Sequence, residues 1–359
     1  MGPIKEKKDG IEFDKKKKQK HKELKKEKLL KKLEKQEAVK PETPLSDTRK
    51  NVSTISIAVP GSILENTQSA ELESYLAGQI ARAACIFRVD EIIVFDDGVT
   101  SKKCVRKLNS DENISRCCVK LARILQYLEC PQYLRKYFFP VHSDLQYAGV
   151  LNPLDTPHHL RQSDEFSFRE GVVTNKPPKT GKGSLVNVGL LQEVRVDKLL
   201  TPGLRCTVKL LPKIENQKKL KGIVVSPSFP HQETGVYWGY SVRIANTLSQ
   251  VFSQSPYKNG YDVTIGTSDK GTDVNKLECR KYKHLLIVFG GLQGLEVAIE
   301  NDDVLSVDDP RFLFDNYLNT IPHQGSCTVR TEEAIMISLA VLKPLLQPKW
   351  AICLQSTDS

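Results

Sequence analysis

Two adjacent glycines, Gly290 and Gly291, follow the branched apolar run Leu285–Phe289 and suggest chemistry more strongly than any other stretch of the sequence. Such a run is typical of a strand buried on both faces of a parallel sheet. Glycine has no Cβ, so a ligand can come close to its main-chain amide. Open α/β sheets bind cofactors at glycine-rich turns where strands end. The pattern predicts a cofactor site or a structural turn, and the two glycines alone leave both open.

Two other groups of side chains could take part in binding. His158 and His159 could hold a metal ion, but only Asp155 lies nearby as a third ligand, which favours a structural or substrate-facing role. Trp238 and Tyr240 could stack on bases. Burial where two domains meet is the alternative that we favour for both rings.

Composition excludes several classes of protein. The chain has 359 residues, enough for two compact units and a tail, and 39% of them are hydrophobic. No apolar run reaches the roughly 18 residues that span a bilayer, so no membrane contact is expected. The N-terminus lacks the apolar segment of a secretory signal. Nine cysteines without CxxC spacing predict reduced thiols and no metal site; adjacent Cys117 and Cys118 are expected to pack in a helix.

Residues 1–49 are predicted to be a basic tail. Residues 1–40 contain sixteen lysines and eight acidic residues, so they carry most of the net charge of +10. This composition predicts disorder in the free protein. It also suits nuclear import or contact with nucleic acid, with an affinity that falls as salt rises.

Residues 50–165 are predicted to form the first part of an α/β domain. The pattern gives a strand, a helix and a strand, followed by a helix that Pro131 ends and by irregular segments. The predicted elements are strand Thr54–Val59, helix Glu71–Phe87, strand Glu91–Phe95, helix Ile114–Leu128 and the irregular segment Tyr133–Phe139. A strand–helix–strand unit of this size implies a parallel sheet.

Residues 166–232 have a different pattern, with short strands separated by Pro and Gly. The predicted strands are Glu170–Thr174, Leu185–Val188, Glu193–Val196, Arg205–Leu210 and Gly222–Val225. Five strands at this spacing predict a small antiparallel, OB-like β-barrel. Such barrels often bind single-stranded nucleic acid, although a barrel without a ligand is the alternative.

The α/β pattern returns in residues 233–345, so the barrel is predicted to be inserted in a split domain. The predicted elements are helix Tyr240–Phe252, strand Val263–Gly266, the strand ending at Phe289, the strand-like segment Arg311–Tyr317, the loop Asn319–Arg330 and helix Glu333–Leu342. Thr331 is predicted as the N-cap of this last helix, with Glu332 in its first turn. Residues 346–359 are predicted to be a C-terminal tail.

Taken together, these segments resemble the SPOUT class of methyltransferases, and within it a eukaryotic branch that includes a centromere-associated protein. The resemblance extends over residues 54–342 and excludes the tail. Its motifs are AVPGSIL (58–64), YLAGQIARA (75–83), ARILQYLECPQYLRK (122–136), LNPLDTPHH (151–159), YWGYSVR (237–243), DVTIGTSDKG (262–271), VFGGLQGLE (288–296) and VRTEEA (329–334).

The resemblance implies a trefoil knot in the C-terminal part of the parallel sheet. The knot would bind S-adenosylmethionine through main-chain groups of three loops, Gly266–Gly271, Phe289–Gly291 and Leu318–Ser326. The resemblance also implies that Lys270 lies near the carboxylate of the cofactor, since a fixed positive charge favours an anion. The implied cofactor-binding residues are Gly266, Thr267, Lys270, Phe289, Gly290, Gly291, Leu318, Asn319, Thr320, Gly325 and Ser326.

Three residues are candidates for catalysis. Arg82 resembles an arginine of some SPOUT enzymes that holds phosphate or lowers the pKa of the acceptor, although a surface arginine of a helix is equally expected. Arg330 and Glu332 flank the cofactor loop. Arg330 suits an RNA phosphate, and Glu332 suits a helix N-terminus better than a catalytic base.

The resemblance therefore predicts an S-adenosylmethionine-dependent RNA methyltransferase that is a homodimer in the nucleus or nucleolus. It is expected to act on a base ring nitrogen, with ribosomal RNA as a candidate substrate. The alternative is a non-catalytic binding protein at the kinetochore, centrosome or spindle. An oxidoreductase is disfavoured, because no GxGxxG motif lies between the first strand and helix.

Overall fold

The computed structural model describes residues 52–99, 105–107, 113–176, 183–212, 220–278 and 280–349. The predicted basic tail, and residues 350–359 of the predicted C-terminal tail, lie outside these described residues. Within the described residues, every helix is too short or too polar to cross a bilayer.

A six-stranded sheet forms the centre of the fold, and every pair of neighbouring strands in it is parallel. Its strands are β1 (Thr54–Pro60), β2 (Glu91–Phe95), β10 (Ser241–Ala245), β11 (Val263–Asp273), β13 (His284–Phe289) and β14 (Asn316–Asn319). Their order across the sheet is β10-β2-β1-β13-β11-β14. The prediction of an α/β fold with a parallel sheet is confirmed.

Helices cover both faces of this sheet. They are α1 (Ala70–Ile86), α2 (Arg116–Glu129), α3 (Gln132–Phe138), α4 (Phe229–Thr234), α5 (Leu248–Ser253), α6 (Glu296–Glu300) and α7 (Thr331–Leu345). On one face α1, α2 and α7 bury a large core that contains Ile57, Ile287 and Leu339. On the other face α5 and α6 pack over a smaller core around Ile93 and Leu286. Cys117 and Cys118 are buried in α2, as predicted.

The five strands predicted in the middle of the chain are all present. They are β5 (Phe168–Val173), β6 (Leu185–Asn187), β7 (Val194–Arg195), β8 (Arg205–Leu210) and β9 (Gly222–Val225). They pair antiparallel in the order β7-β6-β5-β8-β9. The two outer strands also meet, because Arg195 N donates a hydrogen bond to the Leu220 carbonyl at 2.9 Å.

Two short strand pairs lie outside the two sheets. One is antiparallel, between β3 (Val105–Lys107) and β4 (Asn113–Ser115). A parallel pair joins β12 (Arg280–Tyr282) to β15 (Leu346–Pro348), so the first residues of the predicted C-terminal tail form a strand. The chain leaves this pair with Lys349 N bonded to the Tyr282 carbonyl at 2.8 Å.

A buried polar network joins the inserted sheet to the α/β part. Arg205 on β8 donates two hydrogen bonds to the Glu129 carboxylate, at 2.7 and 2.9 Å, and a third to Glu170 at 2.9 Å. Trp238 Nε1 donates to Glu170 at 2.7 Å. Trp238 and Tyr240 are 8% and 5% exposed, so the prediction that they are buried at the junction is confirmed.

The predicted helix Tyr240–Phe252 is wrong in its first half. Residues 241–245 form the edge strand β10, which pairs in parallel with β2. Arg243 on this strand forms an ion pair with the buried carboxylate of Glu91 at 3.0 Å. Thr247 Oγ1 then accepts a hydrogen bond from Gln250 N and starts α5. An edge position in the sheet outweighs the helical spacing of this segment.

Other boundaries also differ from the predictions. Tyr133–Phe139 was predicted as irregular, but most of it belongs to α3, because Pro131 precedes the first turn of a helix, where proline is tolerated. The predicted strand Val263–Gly266 continues to Asp273 after a register shift. Arg311–Tyr317 begins as a 3-10 turn, and only its end belongs to β14. The N-cap of α7 is Arg330 rather than Thr331, one residue earlier than predicted.

Candidate active site

A cleft of about 820 Å³, called the main cleft below, opens at the carboxyl ends of β11, β13 and β14. This edge is where open parallel sheets bind ligands. Its walls are the start of α1, the turn after β13, the loop after β14 and the first turns of α7. The described residues that line it include Ile63, Tyr75, Gln79, Thr267, Asp269, Phe289, Gly290, Gly291, Asn319, Thr320, Arg330, Thr331 and Glu332.

The turn after β13 presents main chain to the main cleft. Gly290 and Gly291 both line it, and glycine has only main-chain atoms to offer. A Cβ added to Gly290 would lie 2.9 Å from the main chain of Gly294. A Cβ added to Gly291 would lie 3.1 Å from Asp97 Oδ2 and 3.2 Å from Ser62 Oγ. Close packing behind the turn therefore favours glycine at both positions.

Behind Gly291 lies a buried acid. Ser62 Oγ donates a hydrogen bond to Asp97 Oδ2 at 2.5 Å, and both residues are less than a tenth exposed. Burial raises the pKa of the Asp97 carboxyl, although the hydrogen bond from Ser62 opposes this. The Ser62–Asp97 pair packs behind Gly291 and has little contact with solvent.

The loop after β14 is held by side chains at its start. Asn319 Nδ2 donates to the Asp269 carbonyl at 2.9 Å, and Asn319 Oδ1 accepts from Ile321 N at 2.9 Å. The Thr320 and Ser338 hydroxyls are hydrogen-bonded at 2.7 Å in a buried position. These contacts fasten the loop both to β11 and to α7.

The start of α7 closes the main cleft. Arg330 N donates to Glu333 Oε2 at 3.0 Å, so Glu333 satisfies a main-chain donor at the helix N-terminus. Glu332 forms no hydrogen bond or ion pair with another described residue, and Arg330 forms no ion pair with one. Within the described part of the chain, the main cleft thus contains a carboxylate and a guanidinium without an ion-pair partner, together with the positive end of a helix dipole.

The structure brings together six of the predicted cofactor residues: Thr267, Phe289, Gly290, Gly291, Asn319 and Thr320 all line the main cleft. The others are not among the lining residues. A Cβ on Gly266 would lie 2.5 Å from the Phe314 ring. Leu318 is a buried core residue. Gly325 and Ser326 are exposed parts of the loop.

Lys270 is also outside the set of lining residues. Its Nζ lies 3.0 Å from Glu296 Oε1, an ion pair that connects the bulge of β11 to the start of α6. The neighbouring carboxylate raises the pKa of Lys270. Its contact with the carboxylate of a cofactor stays a prediction.

The candidates for catalysis divide into two groups. Arg330 and Glu332 line the main cleft. Arg82 is one helical turn beyond Gln79, and its guanidinium donates to the Leu154 carbonyl. In this structure Arg82 therefore supports the loop before the inserted sheet, and does not line the main cleft.

The two adjacent histidines are structural in this fold. The Nε2 atoms of His158 and His159 both lie within hydrogen-bonding distance of the Glu129 carbonyl, at 2.9 and 2.7 Å. Burial lowers the pKa of His159 to about 4. Among the described residues, no group of three or more His, Cys, Asp or Glu side chains is arranged to hold a metal ion.

The predicted site residues did not include the wall of the main cleft that α1 and the segment before it form. Asn66, Thr67, Tyr75 and Gln79 line the main cleft. Asn66 and Thr67 follow β1, so the rule that places sites at strand ends could have found them. Tyr75 and Gln79 lie on one helical face, four residues apart, and only the packing of the helix directs that face toward the cleft.

Comparison with known proteins identifies the family. A family model described as "Putative RNA methyltransferase" matches residues 54–342. The chain belongs to this family. The match covers both parts of the parallel sheet and the inserted strands, and the predicted membership of an RNA methyltransferase family is confirmed.

Several curated relatives are similar over most of the chain. A 28S rRNA (uridine-N(3))-methyltransferase of Drosophila melanogaster is 60% identical over 311 residues, which cover 84% of this chain and 64% of the relative. Proteins of the same name from Mus musculus and Homo sapiens are 57% and 53% identical, over 81% and 89% of this chain and 76% and 84% of their own lengths. This chain thus spans somewhat less than two thirds of the Drosophila relative.

Proposed function

We propose that the chain is an S-adenosylmethionine-dependent methyltransferase that modifies a ring nitrogen of uridine in large-subunit ribosomal RNA. The observation that carries this proposal is the convergence of the three predicted loops on one cleft at the carboxyl edge of the parallel sheet. The family match and the names of the relatives support the RNA substrate. They also favour catalysis over the alternative of a binding protein without activity.

The main cleft fits a cofactor of this kind. Its volume of about 820 Å³ lies within the range of small-molecule sites, which is about 300–1,000 Å³. Gly290, Gly291 and Phe289 would bind the nucleoside through main-chain atoms, and Asn319 and Thr320 would border it. When bound, the cofactor supplies a methyl group on a sulfonium.

Uridine N3 carries a proton that must leave before the nitrogen can attack a methyl group. The N3–carbon bond forms as the carbon–sulfur bond breaks, and the proton passes to a base. Glu332 would accept this proton, because its carboxylate lines the main cleft and is not held by any other described residue. Arg330 would bind an RNA phosphate or stabilise the negative charge that develops on the uracil ring.

We also propose that residues 316–345 are threaded as a trefoil knot. Two observations support this. Strand β14 is at the edge of the sheet, yet α7, which follows it, packs against α1 over the centre. The loop between them passes the turn after β13, where Thr331 Oγ1 bonds the Gly290 carbonyl at 3.2 Å. An experimental structure with this segment unthreaded would contradict the proposal.

The domain division that we propose is a tail (1–49), a split methyltransferase domain (50–165 and 233–345) and an inserted OB-like barrel (166–232). The contact between the outer strands β7 and β9 supports a closed barrel. The barrel and the basic tail would recruit RNA, which a gel-shift comparison of the full chain with a variant lacking residues 1–49 can test.

A homodimer is supported by an exposed apolar face. Leu72, Tyr75 and Ile86 of α1 are 48%, 44% and 48% exposed, and Ile337 of the adjacent α7 is 36% exposed. Leu72 and Tyr75 also border the main cleft, so a second copy on this face would complete its wall. Light scattering of wild type and of Leu72→Glu should give a dimer and a monomer respectively.

Ribosomal RNA as substrate implies a nuclear, specifically nucleolar, location, which imaging of a tagged chain can test. Association with the kinetochore, centrosome or spindle remains a prediction. Imaging of the same tagged chain through mitosis decides it, because absence from all three structures contradicts that prediction.

The decisive test combines binding and product mapping. Calorimetry with S-adenosylhomocysteine should show saturable binding to the purified chain, and methyl incorporation into a 28S RNA fragment should occur at N3 of a uridine. Gly290→Val should abolish binding because its side chain meets the main chain of Gly294. Gly149→Ala is the matched control, since an added Cβ there meets nothing within 4 Å. Absence of binding to the wild-type chain would falsify the proposal.

A further inference from the structure

A second, polar cleft of about 430 Å³ lies beside β14, the edge strand of the parallel sheet. It is called the basic cleft below. Three cations line it, Lys276 from the turn after β11, Arg280 from β12 and Arg311 from the turn before β14. Two acids, Glu278 and Asp315, also contribute to its walls.

The cations of the basic cleft are not neutralised by the protein. Lys276, Arg280 and Arg311 are exposed, and none of them forms an ion pair with another described residue. Asp315 faces Thr264, because its Oδ2 accepts hydrogen bonds from Thr264 N and Oγ1 at 2.8 and 2.9 Å. Three cations against two carboxylates give the basic cleft a small excess of positive charge, which suits an anionic partner.

An aromatic ring accompanies these charges. Phe312 directly follows Arg311 in the same turn, and it is 80% exposed. An aromatic side chain with that exposure contributes little to the stability of the apolar core. Beside unpaired cations, it matches the combination with which proteins bind single-stranded nucleic acid, in which cations contact phosphates and a ring stacks on a base.

The basic cleft is next to the main cleft. Leu318 of β14 lines the basic cleft, and the following residue, Asn319, lines the main cleft. Consecutive Cα atoms are about 3.8 Å apart, so one strand separates the two sites. A polymer bound in the basic cleft could therefore continue directly into the main cleft.

We infer that the basic cleft binds the phosphates of single-stranded substrate RNA beside the methylated nucleotide, with Phe312 stacking on a neighbouring base. The inference rests on the proposed function, since it assigns a substrate-binding surface to the same enzyme. It locates that surface on the α/β part of the chain, apart from the barrel and the tail.

The test measures binding of the full chain to a fluorescein-labelled, single-stranded RNA that contains uridine, by fluorescence anisotropy over a series of salt concentrations. The variant Lys276→Ala, Arg280→Ala, Arg311→Ala should bind at least tenfold more weakly at low salt. The slope of log affinity against log salt should fall in magnitude by about 2, because each lost phosphate contact on a single strand contributes about 0.7. If the triple variant does not fold, Arg280→Ala and Arg311→Ala are compared singly.

One further test variant and two controls make the result specific. Arg116→Ala, Lys258→Ala, Lys343→Ala removes the same charge at exposed positions elsewhere and should leave the slope unchanged. Phe312→Leu should weaken binding about tenfold at an unchanged slope, because stacking is lost while charge is kept. Val304→Ala, at a residue 77% exposed, should have no effect.

The outcomes separate this inference from the proposed function. Equal affinity and equal slope for wild type and the triple variant overturn the inference, even if S-adenosylhomocysteine binds normally. In a further outcome, polyglutamate binds wild type but not the triple variant, while both bind RNA equally. The basic cleft would then be a site for an acidic protein and not for RNA. If wild type does not bind S-adenosylhomocysteine, the proposed function is contradicted. The comparison of RNA binding between wild type and the triple variant still tests the inference.

Discussion

The Thr331 hydroxyl donates a hydrogen bond to the Gly290 carbonyl at 3.2 Å and so joins the first turn of α7 to the turn after β13. Two walls of the main cleft, 41 residues apart in the chain, are held together by this contact. A hydrogen bond of this type contributes about 1 kcal/mol net. It fixes the main chain that is proposed to bind the cofactor.

We expect Thr331→Val to lower the affinity for S-adenosylhomocysteine about fivefold, which corresponds to a loss of about 1 kcal/mol. Valine keeps the shape of threonine but has no hydroxyl. Calorimetry measures the change, and Thr331→Ser, which keeps the donor, is the control. Equal affinities for the valine and serine variants would show that the hydrogen bond has no influence on the main cleft.

The ion pair between Lys270 and Glu296 gives a second prediction. If Lys270 binds the carboxylate of the cofactor, it must exchange Glu296 for that carboxylate. Glu296→Gln should then release Lys270 and raise the affinity for S-adenosylhomocysteine by a few fold at most, because solvent screens an exposed ion pair.

Lys270→Ala should lower the same affinity, and in this background Glu296→Gln should have no further effect. A double-mutant cycle by calorimetry at low salt measures this coupling. Independent effects of the two substitutions would rule out the exchange. They would leave Lys270 as a residue that only positions the bulge of β11.

The sheet was largely predictable from the sequence, and its irregular strand was not. The apolar runs of β1, β2 and β13 identify their own positions, because each is buried on both faces. Strand β11 was predicted to stop at Gly266, since the polar stretch that follows resembles a loop. In the structure β11 pairs again with β14 after a register shift between Thr267 and Thr272. That pairing depends on a strand some fifty residues away, which no local pattern reveals.

Some residues of the main cleft were predictable from the sequence, and others were not. Gly290 was predicted because it follows a buried apolar run, and Asn319 because the resemblance to SPOUT methyltransferases implied it. Tyr75 and Gln79 were missed because they reach the main cleft from the middle of α1. Arg82 was chosen from a motif on the same helix, but one further turn directs it to the Leu154 carbonyl instead.

Two adjacent glutamates in α7 allow the role of the carboxylate to be tested. Glu332 lines the main cleft and has no partner among the residues that the structure describes, while Glu333 accepts the hydrogen bond of Arg330 N. If Glu332 removes the N3 proton, Glu332→Gln should slow methyl transfer about 10²-fold or more, with S-adenosylhomocysteine binding unchanged.

Glu333→Gln is the matched control, because it changes the same charge one residue away. We expect it to lower stability slightly and to leave the rate within a few fold of wild type. Single-turnover assays with a radiolabelled methyl donor measure both rates. Equal loss of rate in the two variants would mean that only the charge of this helix end matters.

The network at the junction should dominate the stability of the inserted sheet. Arg205→Ala would leave the buried Glu129 carboxylate without its two-point partner. Removing one member of a buried ion pair lowers the free energy of unfolding. We expect a loss on the order of 3 kcal/mol, a low value for such a pair, because Arg205 is a third exposed. Urea unfolding followed by Trp238 fluorescence should show a lower midpoint. An unchanged midpoint would mean that apolar packing alone holds the junction.

The same network predicts how stability depends on pH. Burial opposes ionisation of Glu129, but hydrogen bonds from His158 and Arg205 outweigh it and hold the pKa of its carboxyl at about 2, below the ordinary 4.5. As the pH falls, the unfolded chain therefore takes up this proton before the folded chain does. The stabilisation is complete above about pH 4.5 and is lost as the pH falls toward 2.

Wild type and Glu129→Gln should therefore differ in the free energy of unfolding by a constant amount at neutral pH. Below pH 4.5 the difference should shrink, by no more than about 1.4 kcal/mol per pH unit. Urea titrations at several pH values measure it. Arg205→Ala should weaken this pH dependence, because Arg205 supplies two of the hydrogen bonds that keep the carboxylate ionised. A difference that stays constant down to pH 2.5 would show that Glu129 is not the group that titrates.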